Sequence, residues 1–140
     1  MSGAFVLDCS AAVPWVFGDE ATEATDRQLE ALGEGATAWV PSLWHLELGN
    51  VLLGAQRHGR IDPAGVEAFL AQLGMLDIQV DAETVARAWS KTLDLAAQYG
   101  LSTYDAAYLE LALRRGVALA TLDAALIAAA RSAGIPLCLE

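Results

Sequence analysis

Lysine is almost missing from this chain: Lys91 is the single one, and with seven arginines it stands against 18 acidic residues, a formal charge of −10. Binders of polyanions normally carry a basic face, so the composition speaks against a surface made for nonspecific DNA or RNA binding. Cysteine is scarce too. Cys9 and Cys138 are too few for a disulfide framework and have no close Cys or His at zinc spacing, so both read as buried, reduced thiols. No apolar run approaches the ~18–20 uncharged residues of a membrane span. The N-terminus lacks the basic residue and small-residue cleavage site of a signal peptide. The expectation is a cytoplasmic protein with no membrane segment. What the chain does have is apolar content, 55% over 140 residues, much of it alanine. That suffices for one core, and a single domain over residues 1–140 is expected.

Periodicity and breakers divide the sequence into short apolar runs and longer amphipathic stretches. Strands are expected at 4–7, 38–40, 78–80, 117–120 and 137–139. Helices are expected at 11–17, 21–32, 42–58, 63–73, 82–99, 103–115 and 124–133. Gly33, Gly59, Gly74, Gly100, Gly116 and Gly134 follow helical stretches, where a left-handed cap is wanted. The alternation of strand and helix implies an α/β fold, a mostly parallel five-stranded sheet with helices on both faces in three α/β/α layers.

In such sheets ligands bind beyond the carboxyl ends of the strands. The first strand runs into Asp8, Cys9 and Ser10, and the fourth into Thr121, Leu122 and Asp123. Asp105 falls in the first turn of the helix that begins near Ser102. Each of these three acids has a plain structural reading as a helix cap, and Ser102 to Asp105 reads as a near capping box. Glu47 is different, because it lies in a helix that is apolar almost all round, Leu43 to Leu53. A lone carboxylate there is costly unless paired, protonated or bound to a cation. Together the four acids would project into one crevice. Each close pair would repel by up to about 4 kcal/mol at about 4 Å, an arrangement that a hard divalent cation compensates. An all-oxygen ligand set suits Mg²⁺ or Mn²⁺ rather than zinc.

The segments around these acids are Phe5 to Ser10, Pro41 to Asn50, Leu101-Ser102-Thr103-Tyr104-Asp105-Ala106-Ala107-Tyr108-Leu109, and Ala120 to Asp123. In order and spacing they resemble the motifs of PIN-domain ribonucleases, most closely the VapC-type toxins of bacterial toxin–antitoxin pairs. The resemblance spans nearly the whole chain and is most specific at Leu101 to Leu109. It implies that Asp8, Glu47, Asp105 and Asp123 form a catalytic acidic quartet holding Mg²⁺ or Mn²⁺, with Ser10 and Thr121 at polar positions beside it that face substrate. Ala124 departs from the polar or basic residue frequent at that position. The activity implied is endonucleolytic hydrolysis of RNA by metal-activated water. The partners implied are an RNA substrate, a cognate antitoxin whose segment covers the site, and a second copy in a homodimer.

Arg57, His58 and Arg60 are cations that could reach RNA backbone or simply end a helix in solvent, and His45 reads as a packed helix residue. Trp15, Trp39 and Trp44 either fill the core or form an interface. Two other classes are weighed: a catalytically silent interaction module of the same fold, and a receiver-like phosphoacceptor domain. The second needs a lysine near the last strand, whereas Lys91 falls within a helix stretch.

Overall fold

The first strand explains the architecture. In the computed structural model, which describes residues 3–140, β1 (Ala4–Leu7) carries Phe5, Val6 and Leu7, all buried. Successive strand residues point to opposite faces, so burial of all three means both faces of the sheet are covered here. β2 (Thr37–Val40), β3 (Ile78–Val80) and β4 (Ala118–Ala120) join it, every pairing parallel, in the order β3-β2-β1-β4. Val6 lies opposite Trp39 on one side and Leu119 on the other. The chain steps outward from β1 to β3, then returns to the far side of β1 for β4. The direction of winding therefore reverses between β1 and β4, where an α/β sheet opens a crevice.

Among the described residues eight α helices connect and cover these strands: α1 (Cys9–Ala12), α2 (Glu23–Gly33), α3 (Trp44–Arg57), α4 (Pro63–Gly74), α5 (Thr84–Arg87), α6 (Lys91–Tyr99), α7 (Thr103–Arg115) and α8 (Ala124–Ala133). α7 is the most deeply set, with residues 106 to 112 buried on all sides. Ser102 starts it by accepting the Asp105 N–H, and Gly116, at φ 66°, ends it in the left-handed conformation that a residue without Cβ adopts freely. α7 thus begins near the carboxyl ends of the strands and delivers its last turn to the start of β4.

Several expectations are corrected. The sheet has four strands among the described residues, not five. The segment expected as a fifth strand, 137–139, makes one bridge, Leu137 to Leu119, through Leu119 N–H to Pro136 O at 2.9 Å and Cys138 N–H to Leu119 O at 3.0 Å. An upstream rung would need an N–H on Pro136, which proline lacks. The helix expected at 11–17 is one α turn followed by a 3₁₀ turn, Val13–Trp15, where Pro14 interrupts the ladder. The helix expected at 82–99 breaks into α5 and α6. Ser90 leaves helical geometry at φ −115°, ψ −101°, with its N–H and hydroxyl both turned back on Arg87 O. Gly33 and Gly74 are the last helical residues of α2 and α4 rather than left-handed caps.

α3 is less enclosed than its composition suggests. Trp44, Leu48 and Leu52 are buried, whereas Leu46 is 77% exposed and Leu53 43%. Of the tryptophans, Trp44 is buried, and Trp15 packs against the core and donates its indole N–H to Thr25 O at 2.9 Å. Trp39 is capped by the Arg115 guanidinium at 3.3 Å from its ring. These three serve the core, and Trp89, 92% exposed, is the one that faces solvent. Cys9 is buried, Cys138 half-buried, and both are free thiols. No helix among the described residues is long and apolar enough to cross a membrane.

Candidate functional site

The end of β1 and the end of β4 are sewn together by two hydroxyls. Ser10 Oγ donates to Asp8 Oδ2 at 2.6 Å and Thr121 Oγ1 donates to the same oxygen at 2.7 Å. Each hydroxyl in turn accepts a backbone N–H from the β4–α8 turn, Ser10 from Leu122 at 2.9 Å and Thr121 from Asp123 at 3.1 Å. Each hydroxyl therefore accepts from the backbone and donates to Asp8, the much shorter of the contacts open to its proton. Asp8 is the N-cap residue of α1 by position, yet its side chain makes no capping bond. The structural reading of Asp8 as a cap is thereby removed.

Asp123 is a cap: it accepts the Leu126 N–H of α8 at 2.9 Å through Oδ2. Asp105 is not. Ser102 caps α7 by accepting the Asp105 N–H at 3.1 Å, but the Asp105 carboxylate does not return the bond, so the expected capping box is half formed. Glu47, half-buried in the first turn of α3, accepts a short hydrogen bond on Oε1 from the hydroxyl of Tyr108 in α7.

All four carboxylates line one open cleft of about 600 Å³ whose walls also include Cys9, Ser10, Val13, Glu20, Asn50, Val51 and Leu122. No Arg, Lys or His is among these lining residues. Their electrostatics agree with that inventory. Burial pushes Asp8 above the ordinary carboxylate range against the hydroxyls of Ser10 and Thr121, and Asp123 adds repulsion. Glu47 is raised by burial, opposed by the Tyr108 hydroxyl, with Asp8 and Asp105 repelling it. Asp105 is raised by burial and then by Asp123 and Asp8. The Cys9 thiol beside them is pushed up to about 12 by burial and by Asp8 and Glu47, which keeps it a thiol.

The four acids share a cleft rather than a finished cage. Among the described residues no three Asp, Glu, His or Cys side chains are gathered closely enough to hold an ion as they stand. One oxygen of Asp123 is turned to its helix. The donor set nonetheless fits a hard divalent cation: it is all oxygen, its charges repel one another, and nothing cationic compensates them from within the cleft. Placing an ion among them would relieve the repulsion that burial intensifies.

The other candidates do not line the cleft itself, although His58 and Arg60 line a groove that adjoins it through Val13, Glu20, Asn50 and Val51. Thr121 is buried behind Asp8, so its hydroxyl faces the carboxylate and not the open cleft. Arg60 is held by Asp19 and Glu20, each at 2.7 Å, and stacks on Phe17. His58 Nδ1 lies 2.7 Å from Gly54 O in the last turn of α3. His45 is exposed rather than packed, edge-on to Trp44, and lines a different, apolar groove. Lys91 opens α6 and does not line the cleft, so the phosphoacceptor alternative has no lysine there. Tyr108 is the residue that sequence reasoning did not single out. The signal was present, since Tyr108 stands three residues after Asp105 and so shares its helix face.

Solved structures with the same fold include a protein of Pyrobaculum aerophilum, PAE2754, with a TM-score of 0.70 and 23% identity over 99% of this chain and 91% of that one. VapBC2 from Rickettsia felis, bound to a DNA fragment from its promoter, gives a TM-score of 0.63 and 17% identity over 96% of both chains. A toxin–antitoxin complex from Klebsiella pneumoniae gives 0.55 and 18% identity over 85% of this chain and 86% of that one. No curated protein matches the sequence significantly. The PIN domain family profile aligns with residues 5–137, which takes in all four acids of the cleft, and on that match the chain belongs to the PIN domain family.

Proposed function

We propose that the protein is a divalent-metal-dependent endoribonuclease, the toxin of a toxin–antitoxin pair, with Asp8, Glu47, Asp105 and Asp123 as its metal-binding and catalytic carboxylates. The observation that carries this reading is the cleft itself: four acids from four segments, served only by neutral donors, with no cationic side chain lining it. When bound there, Mg²⁺ or Mn²⁺ would lower the pKa of an attacking water and offset charge on the phosphate.

The chain's own groups prepare that site. Ser10 and Thr121 fix Asp8 while leaving its charge intact, and they tie the β4–α8 turn, with Asp123, to the tip of β1. Asp105 projects from the first turn of the rigid, buried α7. The acidic composition is consistent with an RNA substrate on this reading, because two divalent ions would offset four of the ten net negative charges where phosphate sits. Ser10, half-buried, and Asn50, exposed, are the neutral polar side chains of the cleft wall that a substrate could meet.

The partner reading rests on an apolar groove between α3 and α4, from which Leu53 and Leu70 reach solvent over a floor of buried leucines. Leu48, Leu52, Leu53, Val66, Leu70 and Leu73 line a groove of about 600 Å³, an apolar surface of the kind that protein partners cover. An antitoxin with basic side chains would suit the acidic chain, and two of the structurally similar proteins are described as a toxin–antitoxin complex and as VapBC2. A homodimer and a cytoplasmic location complete the proposal.

The test is RNA cleavage by partner-free protein. Cleavage is expected with Mg²⁺ or Mn²⁺, lost in excess EDTA and lost in Asp105→Asn. Undiminished cleavage in EDTA, or none with either ion, would overturn the enzyme reading and favour an interaction module.

A further inference from the structure

We propose that Tyr108 is a positioning residue that aims Glu47 into the acidic cleft; the proposal rests on the metal-site reading above. Glu47 and the other cleft acids come from separate elements, and Glu47 has the longest side chain of the four. It is half-buried on α3, a helix whose neighbouring Leu46 is largely in solvent. A glutamate so placed has three freely rotating bonds and a route out to water, and fixing it has an entropic cost. The Tyr108 ring, fully buried in the core, supplies the constraint by donating its hydroxyl to Oε1 of Glu47.

The second ingredient is where Tyr108 sits. It follows Asp105 by three residues on α7, so one rigid helix carries Asp105 directly and holds Glu47 through the phenol. The relative placement of two carboxylates from two different helices is thereby set by a single buried element. The donor is a phenol, uncharged at neutral pH, so it orients Glu47 without cancelling the charge of the carboxylate. A guanidinium at the same place would orient Glu47 equally well but would cancel the charge that a cation needs.

The experiment is a Mn²⁺ titration of the partner-free full chain, read by the electron paramagnetic resonance signal of free Mn²⁺, for the parent, Tyr108→Phe, Glu47→Gln and the double variant. Phenylalanine keeps the buried ring, so the melting temperature without Mn²⁺ should stay close to that of the parent. Tyr108→Phe should weaken Mn²⁺ binding by about tenfold, the scale at which partners behind a metal ligand act. The same change in a Glu47→Gln background should add nothing. For RNA cleavage, kcat should fall with KM little changed. Parental Mn²⁺ affinity in Tyr108→Phe, or an equal loss with and without Glu47, would overturn the positioning role while leaving the metal site standing. No saturable binding in the parent would instead bring down the metal-site reading, and this proposal with it.

Discussion

Two clusters of carboxylates in this molecule are built from the same side chains and treated in opposite ways. Asp81 and Glu110, both buried, are gripped by Arg114, with contacts of 2.7 Å to Asp81 and 2.9 Å to Glu110. Glu83 joins at 3.3 Å, and Arg115 lies 3.9 Å from Asp81. Burial alone would raise Asp81, yet the hydrogen bonds and charge of Arg114, with Thr84, bring it below the ordinary carboxylate range. In the cleft, Asp8, Glu47 and Asp105 are raised instead, and the side-chain donors to Asp8 and Glu47 are hydroxyls. Asp81 and Asp8 even share an origin, each following the last residue of a parallel strand. Where the chain uses carboxylates to join β3 to α7 it provides a guanidinium. Where it provides only neutral donors, as in the cleft, no cationic side chain lining the cleft offsets the negative charge.

The largest effect expected is on the neutralised cluster. Arg114→Met would leave Asp81 and Glu110 buried without their cation, a loss of about 3–5 kcal/mol measurable by urea unfolding. A loss below about 1 kcal/mol would mean the cluster is solvated and the contrast with the cleft is false.

Next comes one substitution applied to both clusters. Asp81→Asn discards the charge that Arg114 bonds and should lower stability by about 1.5–3 kcal/mol. Asp8→Asn or Asp105→Asn removes a repelled charge and should raise the stability of the metal-free protein by about 1 kcal/mol, with solvent screening limiting the gain. Both cleft variants should also lose RNA cleavage. Thermal melts in EDTA give the signs directly, and equal signs in the two clusters would erase the distinction.

The smallest effect is a pH dependence. A carboxylate whose folded pKa is raised binds more protons folded than unfolded, between the ordinary value and the raised one. For Asp8, Glu47 and Asp105, stability should therefore decline as pH rises through that window, with the full penalty above it. Asp81 runs the other way: its contribution is present above the ordinary carboxylate range and disappears as pH falls through its lowered value. Melting temperatures in EDTA, followed upward from the ordinary carboxylate range, should decline for the parent and decline less for the Asp8→Asn, Asp105→Asn double variant.

Much of this was legible in the sequence because parallel strands advertise their ends. A short apolar run followed by Asp, as at Leu7-Asp8, marks a strand tip, and alternation of such runs with amphipathic stretches marks the sheet. The one-rung bridge at Leu137 depends on tertiary hydrogen bonding that no local pattern displays, and the break at Ser90 rests on a local turn back to Arg87 O that a serine within a helical pattern does not announce. The apolar appearance of α3 misled about its burial, since hydrophobic residues on an unpartnered face look the same as core residues. The Arg114 cluster left a trace only as Glu110 and Arg114 at helical spacing. Asp81 after its strand resembles Asp8 until the guanidinium is seen beside it.

The measurement closest to the central claim is calorimetric titration of the partner-free protein with Mn²⁺ at neutral pH, beside Asp8→Asn and Asp81→Asn. The account predicts saturable binding in the parent, retained when Asp81 is changed and lost when Asp8 is changed. Absence of binding in the parent, or binding that survives Asp8→Asn undiminished, would contradict it.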